Sequence, residues 1–265
     1  MSVQNRISDV KTYLQTAPVI KGLSEIHIFF SPVDPKPETV KMFVEICEKI
    51  NEQRKNDDGF IKIKPCHLSL DFRGSGMVRV MQSSRYITSK DMMHVVKECY
   101  DEADLMQKMF NDAFEAKLIS EKVEVIREKI EAIASAEGVP VTNEEAKKFD
   151  RYFEYHIKVK RKNLLNSQNV DPIDDDEVKE LVQLSHKLSE KFGRPVPLSF
   201  VNNMFHQRFL NVRFEGVGSA EAGAYVKEVE HAISSTKNFM WDKTISEYVW
   251  FDSFRALDKG WIDFE

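Results

Sequence analysis

Three histidines sit in stretches that alternate like β-strands: His27 in SEIHIFF, His67 in PCHLSLDF and His156 in FEYHIKV. Imidazole titrates near neutrality, so two such groups facing one point can serve as general acid and general base. Two of them follow a glutamate by two residues, Glu25 before His27 and Glu154 before His156. Side chains two apart share a strand face, so each pair also has the makings of a metal-ligand set. No compact signature such as His-Glu-x-x-His occurs anywhere in the chain, and the sequence indicates neither a metal nor a cofactor. The simplest role for a half-exposed strand histidine is a hydrogen bond across the sheet.

Donors that would suit an anion accompany these histidines. Arg79, Arg85, Lys158 and Arg208 can bind a phosphate or carboxylate, with Ser69 and Ser199 as neutral partners. Their ordinary alternative is ion pairing with Glu25, Glu154 or Asp71. Glu121 in ISEKVEV and Glu247 in ISEYVWF are each an acid in an otherwise apolar row. Burying an unpaired carboxylate is costly. Each therefore marks the end of a strand or meets a specific cation.

His67-Leu-Ser69 resembles the His-x-Thr/Ser motif of the 2H phosphoesterase superfamily, in which two such motifs act on a phosphodiester. The resemblance implies that one histidine activates the attacking group while another protonates the leaving group. It covers one short motif, and the corresponding stretch, Pro197-Leu-Ser199, cannot transfer a proton. GVGSAEAG at 216–223 precedes a helical pattern as phosphate loops do, without the Walker Lys-Ser/Thr or a full Gly-x-Gly-x-x-Gly.

Elements that would position these residues repeat along the chain. Glu25-Ile-His27-Ile28 matches Glu154-Tyr-His156-Ile157, Pro65–Leu70 matches Pro195–Phe200, and Lys117–Val123 matches Lys243–Val249. Alternating and 3.6-period segments give β-α-β-β-α-β twice. The expected fold is α+β, an internal duplication of two ferredoxin-like units, each an antiparallel sheet with helices on one face. The expected divisions are a docked N-terminal helix within 1–22, a first repeat at 23–133, a linker at 134–151 and a second repeat at 152–265. In each first strand Ile26, Ile28 and Phe30, or Tyr155, Ile157 and Val159, face the core. That leaves Glu25 and His27, or Glu154, His156 and Lys158, on the open face. The same alternation sets Arg79 and Arg85 outward.

With 42% hydrophobic and 31% charged residues, the chain has the composition of a soluble globular protein. A net charge of −5 gives no global attraction to nucleic acid or an anionic membrane. No apolar run approaches a membrane span, and Asp9, Lys11, Gln15 and Lys21 interrupt any signal-peptide core. Cys47, Cys66 and Cys99 have no metal-type spacing, and the expected setting is reducing and cytoplasmic. The expected function is binding of an anionic small molecule or peptide in a polar cleft between the two halves. Two alternatives stand beside it: a phosphoesterase-like enzyme using His27, His67 and His156, and an interaction subunit of a larger assembly. The sequence leaves the oligomeric state open.

Overall fold

The computed structural model describes residues 10, 14, 18–72, 76–89, 91–162, 175–201, 208–258, 260 and 261. The expected N-terminal helix, the loop at 163–174 and the RGSG turn fall largely outside them, as does the side chain of Asp71. Among the described residues eight strands appear: β1 (Gly22–Ser31), β2 (Lys64–Phe72), β3 (Gly76–Ser89), β4 (Glu124–Ile133), β5 (Tyr152–Arg161), β6 (Leu198–Val201), β7 (Arg208–Glu215) and β8 (Phe239–Asp252). The helices are α1 (Pro37–Arg54), α2 (Met92–Glu115), a short α3 (Asn143–Ala146), α4 (Asp175–Phe192) and α5 (Ser219–Ser234). None of them is long and apolar enough to cross a membrane.

The pairing of these strands corrects the expected architecture. All eight belong to one sheet, hydrogen-bonded in the order β1-β3-β2-β6-β7-β5-β8-β4 and closed on itself as a barrel. Two ferredoxin-like repeats with separate open sheets would each leave two edges of unpaired backbone N–H and C=O groups, and closure removes every edge. The repeat reading fails in detail at its last match. Lys117–Val123 lies in the turn and loop before β4, whereas Lys243–Val249 lies inside β8. β4 instead covers EVIREKIEAI, whose second half reads as the start of a helical connector because apolar and charged residues mix in it.

The chain forms two compact units, neither of them a contiguous stretch: 1–67 with 79–139 and 248–254, and 68–78 with 140–247 and 255–265. In the first, Ile26, Ile28 and Phe30 are fully buried on the helix side of β1. Phe30 meets Phe43 of α1 and Phe110 of α2, each at 5.4 Å between ring centroids. α1 starts at Pro37, whose missing N–H costs nothing at that position. Its N-terminus is tied by Glu121, whose carboxylate accepts from the Lys36 N–H at 2.8 Å and the Thr39 hydroxyl at 2.6 Å. α2 is capped by Asp91, which accepts from the Met93 N–H at 2.9 Å.

In the second unit the helix-side row is Tyr155, Ile157 and Val159, all buried. Tyr155 contacts Phe214 of β7 edge-on, and Phe214 in turn meets Tyr225 of α5. Gly218, before α5, has backbone pressed against Val141 and Thr142, so that an added Cβ would stand 2.3 Å from the Val141 carbonyl oxygen. The first N–H groups of α5 are already used: Ser219 donates to the Pro140 carbonyl at 3.1 Å and Ala220 to that of Val141 at 3.4 Å. The glycine-rich GVGSAEAG loop therefore serves close packing, and its helix start is occupied by the protein's own carbonyls.

Candidate functional site

Alternation along β1 places Glu25, His27 and Phe29 on the face away from the helices. Register then adds their neighbours: Tyr86, Ser84 and Gln82 on β3, and Glu131, Lys129 and Arg127 on β4. His27 is buried, with Nε2 at 2.8 Å from Oε2 of Glu131 and Nδ1 at 2.5 Å from the amide nitrogen of Gln82. An amide nitrogen donates, so Nδ1 accepts and the ring proton sits on Nε2, facing the carboxylate. Glu25 lies 3.9 Å from the same Nε2 and accepts from the Ser84 hydroxyl. Burial pulls His27 down, but the Glu131 carboxylate, through charge and hydrogen bond, and the charge of Glu25 outweigh it; its pKa rises above the ordinary imidazole value. The ammonium of Lys129 sits 2.5 Å from the other oxygen of Glu131. Arg127 holds Asp252 with two parallel bonds of 2.8 and 2.5 Å.

On the corresponding face of the second unit stand Glu154, His156, Lys158 and Lys160 of β5, opposite Arg213, Asn211 and Phe209 of β7. Asn211 donates its amide nitrogen to the Pro197 carbonyl at 3.0 Å and to the Ser199 hydroxyl at 2.9 Å. That fixes its oxygen on Nδ1 of His156, at 2.6 Å. Nε2 of His156 faces Glu247 at 3.1 Å and Glu154 at 3.7 Å. Both ring nitrogens thus look at acceptors, an arrangement that an imidazolium satisfies on both sides. Glu154 is also held by Arg213 at 2.7 Å. Lys158 and Lys160 both reach one carboxylate, Asp242, at 3.4 and 2.7 Å. The Lys160 hydrogen bond, working against slight burial and aided by Lys158, keeps Asp242 below the usual carboxylate range.

The remaining candidates lie elsewhere. His67 is half-buried on β2, its Nε2 enclosed without a hydrogen-bond partner among the described residues. Burial and the charge of Arg79 lower its pKa against the attraction of Asp34. Arg79 is exposed and pairs with Asp34 at 3.3 Å. Arg85 pairs in register with Ile26, hence on the helix side, where it binds Glu102 at 2.5 Å and Glu98 at 3.1 Å beneath α2. Arg208, in register with Val159, also lies on the helix-side row and rests over the Phe200 ring at 4.2 Å. Ser69 is buried opposite Phe200. Of the three histidines, His27 and His67 share one unit but have different surroundings: one meets Glu131, Gln82 and Glu25, the other the fields of Arg79 and Asp34. Cys66 is pushed up to about 11 by burial and Glu25, which makes it a poor nucleophile.

Sequence reading missed Glu131, Gln82 and Asn211. For Glu131 the signal was present: Arg127, Lys129 and Glu131 alternate with Glu128, Ile130 and Ala132, a two-residue period inside what also fits a helix. Nothing in the sequence distinguishes Gln82 or Asn211 from other amides.

No protein-family model and no curated relative matches the chain. It is similar to several solved structures. A dye-decolorizing protein from V. cholerae shares 8% identity at a TM-score of 0.28, over 92% of this chain and 97% of that one. A heme-binding protein from Thermus thermophilus shares 9% at 0.27, over 88% and 94%. A chlorite dismutase from Candidatus Nitrospira defluvii shares 12% at 0.25, over 95% and 97%. At such TM-scores these likenesses carry no argument about what this chain binds or does.

Proposed function

We propose that the chain is a ligand-binding protein that takes an anionic group, a carboxylate or phosphate carried by a small molecule or peptide, on the helix-free face of its second unit. One observation carries this reading: Lys158 and Lys160 share the single carboxylate of Asp242. One positive charge of that trio is therefore left over, and it is accessible, since the two lysine side chains are 18% and 40% exposed. His156 stands two residues before Lys158 on the same strand face, with its ring nitrogens turned to Asn211, Glu247 and Glu154, so the lysines alone face the anion. Two half-buried lysines sharing one counter-ion hold an anion chiefly by charge, which makes the binding salt-sensitive.

Calorimetric titration of the full chain with inorganic phosphate, citrate and a short acidic peptide tests the reading. At least one should bind, with affinity falling tenfold or more in Lys158→Ala and with rising salt. Binding of none of the three, or equal binding to the variant, would reject it.

A further inference from the structure

We infer that Glu25, His27 and Glu131 form a binding site for one divalent transition-metal ion of the zinc or cobalt type. This site lies in the first unit and stands independently of the anion reading. One ligand atom from each residue lies within 4.8 Å of the other two. Around a tetrahedral ion with bonds near 2.0–2.2 Å, ligand atoms stand roughly 3.3–3.5 Å apart. The two spacings from His27 Nε2, 2.8 Å to Glu131 and 3.9 Å to Glu25, bracket that value. The third spacing, between the two carboxylates, lies within 4.8 Å, and rotation of the two glutamate side chains about their own bonds is the movement that would bring all three to that value. The donors sit on adjacent paired strands, so backbone hydrogen bonds already hold the bases of all three.

One imidazole nitrogen with two carboxylate oxygens selects among ions. All-oxygen sites suit Mg²⁺ and Ca²⁺ and thiolate sites suit softer ions, whereas a mixed N/O set suits Zn²⁺, Co²⁺ or Mn²⁺. The surroundings supply the outer contacts that such sites need. Ser84 donates to Glu25. Binding of an ion at Nε2 moves the ring proton to Nδ1, and the Gln82 amide, whose nitrogen faces Nδ1 in this structure, must then turn over so that its oxygen accepts that proton. Three protein ligands leave one position for water or substrate. The ammonium of Lys129 on Glu131 is the built-in competitor for the same carboxylate.

Cobalt titration of the full chain, followed by visible absorption, tests this site. Co²⁺ should bind at one equivalent with ligand-field bands, without a thiolate charge-transfer band, and Zn²⁺ should displace it. Glu131→Gln and Glu25→Gln should each weaken binding at least tenfold, and Lys129→Met should tighten it several-fold by removing the competitor. Glu25→Gln keeps the test open if the buried pair does not tolerate change, because Glu25 is the most accessible of the three and circular dichroism can verify its fold. Absence of binding at millimolar Co²⁺, a thiolate band, or affinities unchanged by both glutamine variants would each overturn the assignment.

Discussion

The Glu131 carboxylate holds Nε2 of His27 at 2.8 Å across the β1–β4 pair, and neither side chain is appreciably exposed. Desolvation opposes the imidazolium here, yet the two nearby carboxylates prevail and the pKa stands above its usual value near 6.5. A raised histidine pKa stabilises the fold below the unfolded pKa, and that contribution disappears as pH rises through the folded pKa. With chelator present, the melting-temperature gap between the native chain and Glu131→Gln should therefore be wider at pH 6 than at pH 9. A gap independent of pH would contradict this account of His27.

His67 carries the opposite sign. Burial and Arg79 depress its pKa, so its contribution is present above about pH 6.5 and lost as pH falls through the folded value. Removing the neighbouring charge should raise it. NMR titration of the His67 ring should show a higher pKa in Arg79→Gln than in the native chain, while the His27 titration stays in place.

The two arginines of β3 should differ sharply in cost. Arg85 is buried against Glu102, whose own pKa is raised by burial despite that guanidinium. Arg85→Met leaves an uncompensated buried carboxylate and should cost about 3–5 kcal/mol. Arg79 and Asp34 are 52% and 49% exposed, and Arg79→Met should change stability by less than about 1 kcal/mol. Urea denaturation of both variants measures the difference.

Gly218 predicts a backbone effect without a binding effect. Gly218→Ala drives a methyl group into the Val141 carbonyl and should destabilise by about 1–3 kcal/mol. Phosphate affinity should not change, because the helix start behind that loop already donates to Pro140 and Val141. Loss of anion binding in this variant would restore the phosphate-loop reading of GVGSAEAG.

Legibility from sequence followed the strength of the hydrophobic period. Ile26, Ile28 and Phe30 alternate cleanly with Glu25, His27 and Phe29, so the faces of β1 follow from the residues alone, as do those of β5. β3 defeats that rule. Its helix-side row includes Ser83 and Arg85, while Val80 lies in the same alternate row as Gln82 and Ser84. Apolar counting therefore puts Arg85 on the wrong face, because a buried ion pair with Glu102 replaces a hydrophobic contact. Closure of the sheet was not legible at all. β2 meets β6 through backbone hydrogen bonds between Leu68–Leu70 and Ser199–Val201, which any side chains of suitable shape permit. Glu247 was recognisable as an odd acid in an apolar row, and its partner, His156, could be found only in space.

The most direct test of the anion site is Asp242→Asn. Removing the carboxylate shared by Lys158 and Lys160 leaves both lysines free on the strand face beside His156. Calorimetric titration with citrate at low and moderate salt should show affinity rising several-fold over the native chain, with a steeper loss as salt increases. Unchanged or weaker citrate binding in Asp242→Asn would contradict the claim that this lysine pair is the anion site.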